Sequence, residues 1–151
     1  MPLTFRSAVQ DDICEILRLY AEAGLDEGAT LPREQVDVIL QRIQVDERLQ
    51  IFVADLNGAI VGTVSLMTMG NLGHGGAPCG FVEDVAIDQT LRGRGYGRAR
   101  MDFASDRCWD AGCFTLTLSS RLKPERAHRF YESLGYRKHG YSFFLDLRSA
   151  R

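Results

Sequence analysis

The stretch Leu91 to Arg100, LRGRGYGRAR, sets glycines at 93, 95 and 97 among arginines at 92, 94, 98 and 100. Glycines at a strand-to-helix junction let backbone N–H groups converge, and the helix that follows adds the partial positive charge of its N-terminus. Such a turn suits an anion, a pyrophosphate among them. Two nucleotide-binding loops fail on spacing: counting from Gly93, a G-x-G-x-x-G pattern meets Arg98 where its third glycine belongs, and the lysine of a G-x-x-x-x-G-K-[ST] loop is absent. The four arginines also fit a nucleic-acid patch, but RGG-type segments are usually disordered and this one lies between a β-rich run and an amphipathic helix. A tight turn with solvated arginines would explain one glycine better than three alternate ones.

The other chemistry-bearing side chains are less organised. His74, His128 and His139 have no H-x-x-x-H spacing, and Cys14, Cys79, Cys108 and Cys113 form no CxxC pair. No metal site is expected, and the thiols are expected to be reduced and buried. His74 stands apart because it lies in the glycine-rich segment GNLGHGGAP, a loop that would rim a site.

Whole-chain properties restrict the partners. Eighteen Lys and Arg against 20 Asp and Glu leave a net charge of −2 and a pI near 5.9, so no large basic surface faces a polyanion and any anion site is local. Nucleic acid is not an expected partner. The N-terminus has no basic segment followed by an apolar run, and no stretch approaches the roughly 20 apolar residues that span a bilayer, so a cytoplasmic protein without membrane contact is expected. The length of 151 residues suits one domain, 1–151.

The elements that must position the turn follow from periodicity. Residues 3–9 read as an edge strand. Asp11 and Asp12 then cap a helix carrying Ile13, Ile16, Leu17, Tyr20 and Ala23, which Gly24 ends. Thr30 and Pro32 announce a second helix with Val36, Ile39, Leu40 and Ile43 on one stripe. LQIFVADLNGAIVGTVSLMTM is a hairpin about Asn57-Gly58. The strand CGFVEDVAI comes next, then the turn, a helix to about Ala111, the strand CFTLTLSS, a helix at about Glu125–Leu134, and two strands about Gly140 between Tyr136 and Leu147. The unit at 80–120 has the length of a parallel crossover, which gives a mixed α/β sheet flanked by helices.

With these elements in order, the sequence resembles the GNAT superfamily of acetyl-CoA-dependent N-acetyltransferases. The family signature, Gln or Arg, two variable residues, Gly, one variable residue, then Gly or Ala, is matched by Arg92 to Gly97, and AHRFYESLGYRK resembles the later A-x-x-F-Y-x-x-x-G-[FY] motif. The resemblance implies a mostly antiparallel sheet with a central parallel strand pair splayed to bind coenzyme A, flanked by about four helices. It places Val85, Ala86 and Ile87 along the coenzyme arm and Arg92, Gly93, Arg94, Gly95, Tyr96, Gly97 and Arg98 around its pyrophosphate. Many members carry Asn where this chain has Pro124, so that contact is lost or moves to Ser119 or Ser120.

The same resemblance supplies roles. Glu83 is the first candidate for the base that deprotonates the amine and Asp84 the runner-up, since adjacent strand residues face opposite ways unless a bulge intervenes. Tyr131 takes the family's tyrosine position as general acid. No cysteine sits in either motif beside a base, so direct attack in a ternary complex is expected rather than a covalent route. LSSRLKPERAHRFYESLGYRKHGYSFF is most similar to aminoalkylphosphonate N-acetyltransferases and GFVEDVAID to glucosamine-6-phosphate N-acetyltransferases, which implies a small amine carrying an anion. Arg121, Lys123, Arg126 and Arg129 are candidate partners for that anion, although a charged run beside a helix start is usually a solvated face. The alternatives are a protein or peptide acceptor, a non-catalytic acetyl-CoA sensor, and a nucleic-acid-binding module. The resemblance also admits a homodimer.

Overall fold

The computed structural model describes residues 3–25, 31–120 and 125–148. It divides into two units, Met1–Leu118 and Ser119–Arg151. Thr30, Arg121, Lys123 and Pro124, all named above, lie outside the described residues.

The first unit is built on five strands, β1 (Thr4–Ser7), β2 (Leu49–Leu56), β3 (Ala59–Met69), β4 (Cys79–Ile87) and β5 (Thr115–Leu118), adjacent in that order. β1 to β4 pair antiparallel, and β4 and β5 pair parallel. The β2–β3 turn has Asn57 and Gly58 at φ 57° and 85°, the pair of positive angles a two-residue hairpin requires, and the Asp55 carboxylate accepts the Gly58 N–H at 2.7 Å. Among the described residues the parallel pair, expected at the centre, stands at one end of the sheet.

Three helices accompany the sheet: α1 (Ile13–Ala23), α2 (Arg33–Gln44) and α3 (Tyr96–Asp110). A short 3-10 turn at Gln10–Asp12 leads into α1, where the Asp12 carboxylate accepts the Val9 N–H at 2.9 Å and both terminal nitrogens of Arg6 at 2.6 and 2.8 Å. α1 ends at Gly24, whose φ of 70° lets Leu25 N–H reach the Tyr20 carbonyl. The apolar stripe of α1 buries Ile16 and Leu19 in one core with Ala8, Val53, Ile60 and Ala86. α3 buries Met101, Ala104 and Cys108 at helical spacing, and its Phe103 stacks on Phe5 at 4.7 Å and meets Phe52 edge-on at 5.0 Å. Because side chains alternate along β2, Val53 points toward α1 and Phe52 toward α3. The sheet is covered on both faces by this alternation.

The second unit holds α4 (Glu125–Ser133), after which Gly135 at φ 91° turns the chain and Tyr136 N–H returns to the Tyr131 carbonyl at 3.1 Å. The two strands expected between Tyr136 and Leu147 are not formed: no strand occurs there among the described residues, and Tyr141, Phe143, Phe144, Leu145 and Leu147 are exposed. An apolar alternation specifies a strand only where a neighbouring edge supplies the hydrogen bonds, and sequence cannot show that edge. Among the described residues no helix is long and apolar enough to cross a membrane.

Candidate active site

Two irregularities in β4 create the site. β4 and β5 pair from Cys79 opposite Thr115 to Val82 opposite Leu118, and the pairing stops there. From Glu83 to Ile87, β4 keeps β3 on one side and has no paired strand on the other among the described residues. The sheet therefore opens at the point where the sequence turns acidic. On the closed side, Ser65 faces Glu83 and Thr63 faces Ala86, so the single residue Val64 stands opposite both Asp84 and Val85. This is a β-bulge, with Asp84 at φ 48°. The extra residue shifts the alternation, so Glu83 and Ala86 both lie on the face covered by α1.

The bulge sets the electrostatics of the acidic pair. Glu83 is pushed above the ordinary carboxylate range, first by partial burial and then by the neighbouring charge of Asp84. Neither carboxylate has a hydrogen bond or ion pair among the described residues. A carboxylate left without a cation beside it is available to an incoming ammonium. The α1 side contributes Tyr20, whose phenol is held up by burial and by the charge of Asp84, against the opposing pull of hydroxyls from Ser65 and Thr63. Ser65 and Thr63 are 4% and 0% exposed, two hydroxyls on one face of a buried strand.

The glycine turn follows β4 directly. Gly93 and Gly95 have φ of 81° and 84°, and a Cβ built on either meets nothing within 4 Å, so the concavity is open. Gly97 differs: it lies inside α3, and its backbone is helical. Gly95 is the N-cap of α3, and helical bonding begins with Ala99 N–H to the Gly95 carbonyl at 3.1 Å. The amides before Ala99 therefore face out of the helix end, where an anion is stabilised. Arg92, Arg94 and Arg98 are exposed, and Tyr96 is half-buried.

Arg100 does not belong to the basic surface that its place in LRGRGYGRAR suggested. It is 6% exposed and donates from Nη1 to the Ala86 carbonyl at 2.6 Å. The first turns of α3 are thereby tied to the open part of β4. Ala86 itself is 2% exposed and packs in the α1 core, so it can offer a ligand only its backbone, with Val85 and Ile87 half-buried on either side. Tyr20, Ser65 and Thr63 on the α1 face, and Arg100 bonded to Ala86, were not legible in sequence as neighbours of the open strand. The available signal was the run VGTVSL, where two hydroxyls at i and i+2 sit in a strand otherwise apolar.

In the second unit, Tyr131 is half-buried on α4 with its ring edge-on to Phe130 at 5.3 Å and to Tyr136 at 5.9 Å. Ser119 and Ser120 are exposed. Arg129 of α4 is 3.8 Å from Glu125, a surface pair one helical turn apart. In the first unit, the loop residue His74 stacks on Phe114 at 3.9 Å. The expectation of four buried thiols holds only for Cys108; Cys14 is exposed, and Cys79 and Cys113 are intermediate. Burial and the neighbouring Cys113 push Cys108 up to about 12, which keeps it protonated and poorly nucleophilic at neutral pH.

In sequence order, a strand that opens at a bulge is followed by a glycine turn at a helix N-terminus. Residues 11–136 match the acetyltransferase (GNAT) family, and the chain belongs to it. It is 36% identical over 98 residues to a glucosamine 6-phosphate N-acetyltransferase of Trypanosoma brucei brucei, covering 65% of either chain. It is 28% identical over 99 residues to an aminoalkylphosphonate N-acetyltransferase of Salmonella typhimurium, covering 66% of this chain and 64% of that one. The chain thus spans just under two thirds of these curated relatives. The crystal structure of an acetyltransferase from Trypanosoma brucei superposes with a TM-score of 0.84 at 28% identity, over 97% of this chain and 100% of the other.

Proposed function

We propose that this chain transfers an acetyl group from acetyl-CoA to the primary amine of a small molecule carrying a phosphate or phosphonate. The observation that carries the reading is the joint presence of the open segment Glu83–Ile87 and the left-handed glycines Gly93 and Gly95 on one β-turn-α unit. The amides of Gly93 to Arg98 would hold the coenzyme pyrophosphate, and the open backbone of Val85 to Ile87 would take its arm. Ser119 and Ser120 would supply the contact that Pro124 cannot make. The coenzyme brings an activated acetyl thioester.

The chain's own residues account for the rest. An amine arrives protonated near neutral pH, and the Glu83 carboxylate accepts that proton, with Asp84 holding the cation near. The amine nitrogen then bonds to the acetyl carbon, the carbon–sulfur bond breaks, and the second proton left on the nitrogen passes to water as the amide forms. A backbone N–H at Val85 or Ala86 would steady the carbonyl oxygen as it gains charge. By the family resemblance, the Tyr131 phenol would be the donor of a proton to the departing sulfur. The names of both relatives, one a sugar phosphate and one a phosphonate acetyltransferase, support an anionic amine as acceptor.

Calorimetric titration with acetyl-CoA tests the cradle. Gly95→Val places a β-branched residue at a left-handed angle and disturbs the converging amides, whereas Arg94→Ala removes only an exposed cation. The expected order is a loss of at least about tenfold in affinity for Gly95→Val, a hydrogen bond's worth, and a smaller loss for Arg94→Ala. The reverse order, with steep salt dependence, belongs to a basic nucleic-acid patch.

A further inference from the structure

Residues 88–92 join the end of β4 at Ile87 to the first left-handed glycine, Gly93, and every one of them donates a hydrogen bond. Some of these bonds are local and only shape the segment. The Asp88 carboxylate accepts Thr90 N–H at 2.9 Å and Thr90 Oγ1–H at 2.6 Å, and Leu91 N–H reaches the Asp88 carbonyl at 3.1 Å, giving a short 3-10 turn at Gln89–Leu91. The other bonds fix the segment in place. Asp88 N–H is held by the Val61 carbonyl of β3 at 2.8 Å, and two side chains reach α1. Arg18 Nη2 donates to the Asp88 carboxylate at 3.2 Å, and Gln89 Nε2 donates to the Glu22 carbonyl at 2.7 Å.

α1 is a firm anchor, because Leu19, the neighbour of Arg18, is wholly buried in the core. The Arg18 guanidinium is already oriented there: Nε donates to Glu15 at 2.9 Å and Nη1 to Glu22 at 2.6 Å, about one helical turn away on either side. Its remaining nitrogen is the one that meets Asp88. The Glu22 carbonyl is among the last four of α1, which have no intrahelical partner, and the Gln89 amide supplies one. Thr90 first, and then Arg18, hold the Asp88 carboxyl below its ordinary range, so the pair is charged at neutral pH. The glycines themselves are held by no packing, since a Cβ built on Gly93 or Gly95 meets nothing within 4 Å. Their shape must be set from the flanks. From this geometry we infer that Asp88 and Gln89, anchored on Arg18 and on the Glu22 carbonyl, are positioning residues for the coenzyme-binding glycine turn. They fix the path of the chain into Gly93, so that the amides of residues 93–98 are gathered before a pyrophosphate arrives. The inference rests on the reading of that turn as the acetyl-CoA site.

Charge and position give opposite signs for one substitution. Asp88→Asn keeps a carbonyl oxygen to cap Thr90 and gives up the charge paired with Arg18. Removing a negative charge from the approach to an anion site favours the anion, whereas freeing the turn from α1 disfavours it. Calorimetric titration with acetyl-CoA reads that sign without turnover. The strap predicts an affinity lower by about fivefold for Asp88→Asn, the scale of a part-exposed ion pair, and a similar loss for Gln89→Ala. Arg18→Met breaks the same pair from the α1 side, so the double variant Arg18→Met, Asp88→Asn should bind as the weaker single variant does rather than losing both increments. Leu40→Ala opens the core at α2, a different helix, and should lower the melting temperature with no change in affinity.

Thiol release adds a split that a merely structural role does not produce: in Asp88→Asn the KM for acetyl-CoA rises while kcat and the KM for the amine stay at wild-type values. A loss of acetyl-CoA affinity in Gly95→Val, with wild-type affinity in both Asp88→Asn and Gln89→Ala, overturns the strap and leaves the glycine cradle standing. Tighter binding by Asp88→Asn overturns it too, as does a loss in Leu40→Ala that equals the loss in Asp88→Asn. Wild-type affinity in Gly95→Val overturns the cradle itself, and the strap's role in coenzyme binding falls with it.

Discussion

Glu83 reads in sequence as one of two adjacent acids, and only the bulge decides how they are presented. With Asp84 at φ 48° the phase of β4 shifts, and Glu83 lies on the α1 face over Ser65. Its raised pKa has a definite consequence for rate. With Glu83 as the proposed base, kcat/KM is expected to fall with decreasing pH through a midpoint above the roughly 4.3 of an unperturbed glutamate. Glu83→Gln removes that limb and lowers kcat by about 10²–10⁴-fold, the range of a lost general base. The need for glycine was legible at Gly93 and Gly95, which have left-handed angles, and less so at Gly97, which is helical. Tyr20 was legible only as part of the apolar stripe of α1.

At the scale of elements, α3 is held to β4 by a charge that sequence placed on the surface. Arg100 is one of four arginines in ten residues, and spacing alone does not reveal that it falls on the buried side of α3. Arg100→Ala removes the donor to the Ala86 carbonyl and is expected to cost about 1–3 kcal/mol by urea denaturation, whereas Arg94→Ala costs little. The link between β1 and α1 is acid-sensitive. Arg6 and the Val9 N–H hold the Asp12 carboxyl below its ordinary range, with Arg6 the larger cause. Its contribution is therefore fully present above the unfolded value of about 3.9 and is lost as pH falls through the lower folded value. Because the Arg6 side chain is 41% exposed, solvent discounts the pair, and Asp12→Asn should cost about 1 kcal/mol at pH 6 and progressively less in acid. The β2–β3 hairpin and the helices were legible from turn chemistry and periodicity. The segment after Gly135 was not, because its alternation names no partner edge.

For the whole molecule, a net charge of −2 spread over mixed surface pairs such as Arg18 with Glu15, Glu22 and Asp88 leaves no broad basic field. With the proposed cradle of oriented amides at the α3 N-terminus, binding of acetyl-CoA should weaken only mildly with salt. Family membership follows from the match over residues 11–136, while the acceptor rests on chemistry near Glu83. The most direct measurement is thiol release from acetyl-CoA by the wild type and Glu83→Gln, with glucosamine 6-phosphate and an aminoalkylphosphonate as acceptors. The account predicts amine-dependent release by the wild type and a loss of at least about 10²-fold in the variant. Tight acetyl-CoA binding with no release on either amine, or equal rates in the two proteins, would contradict it.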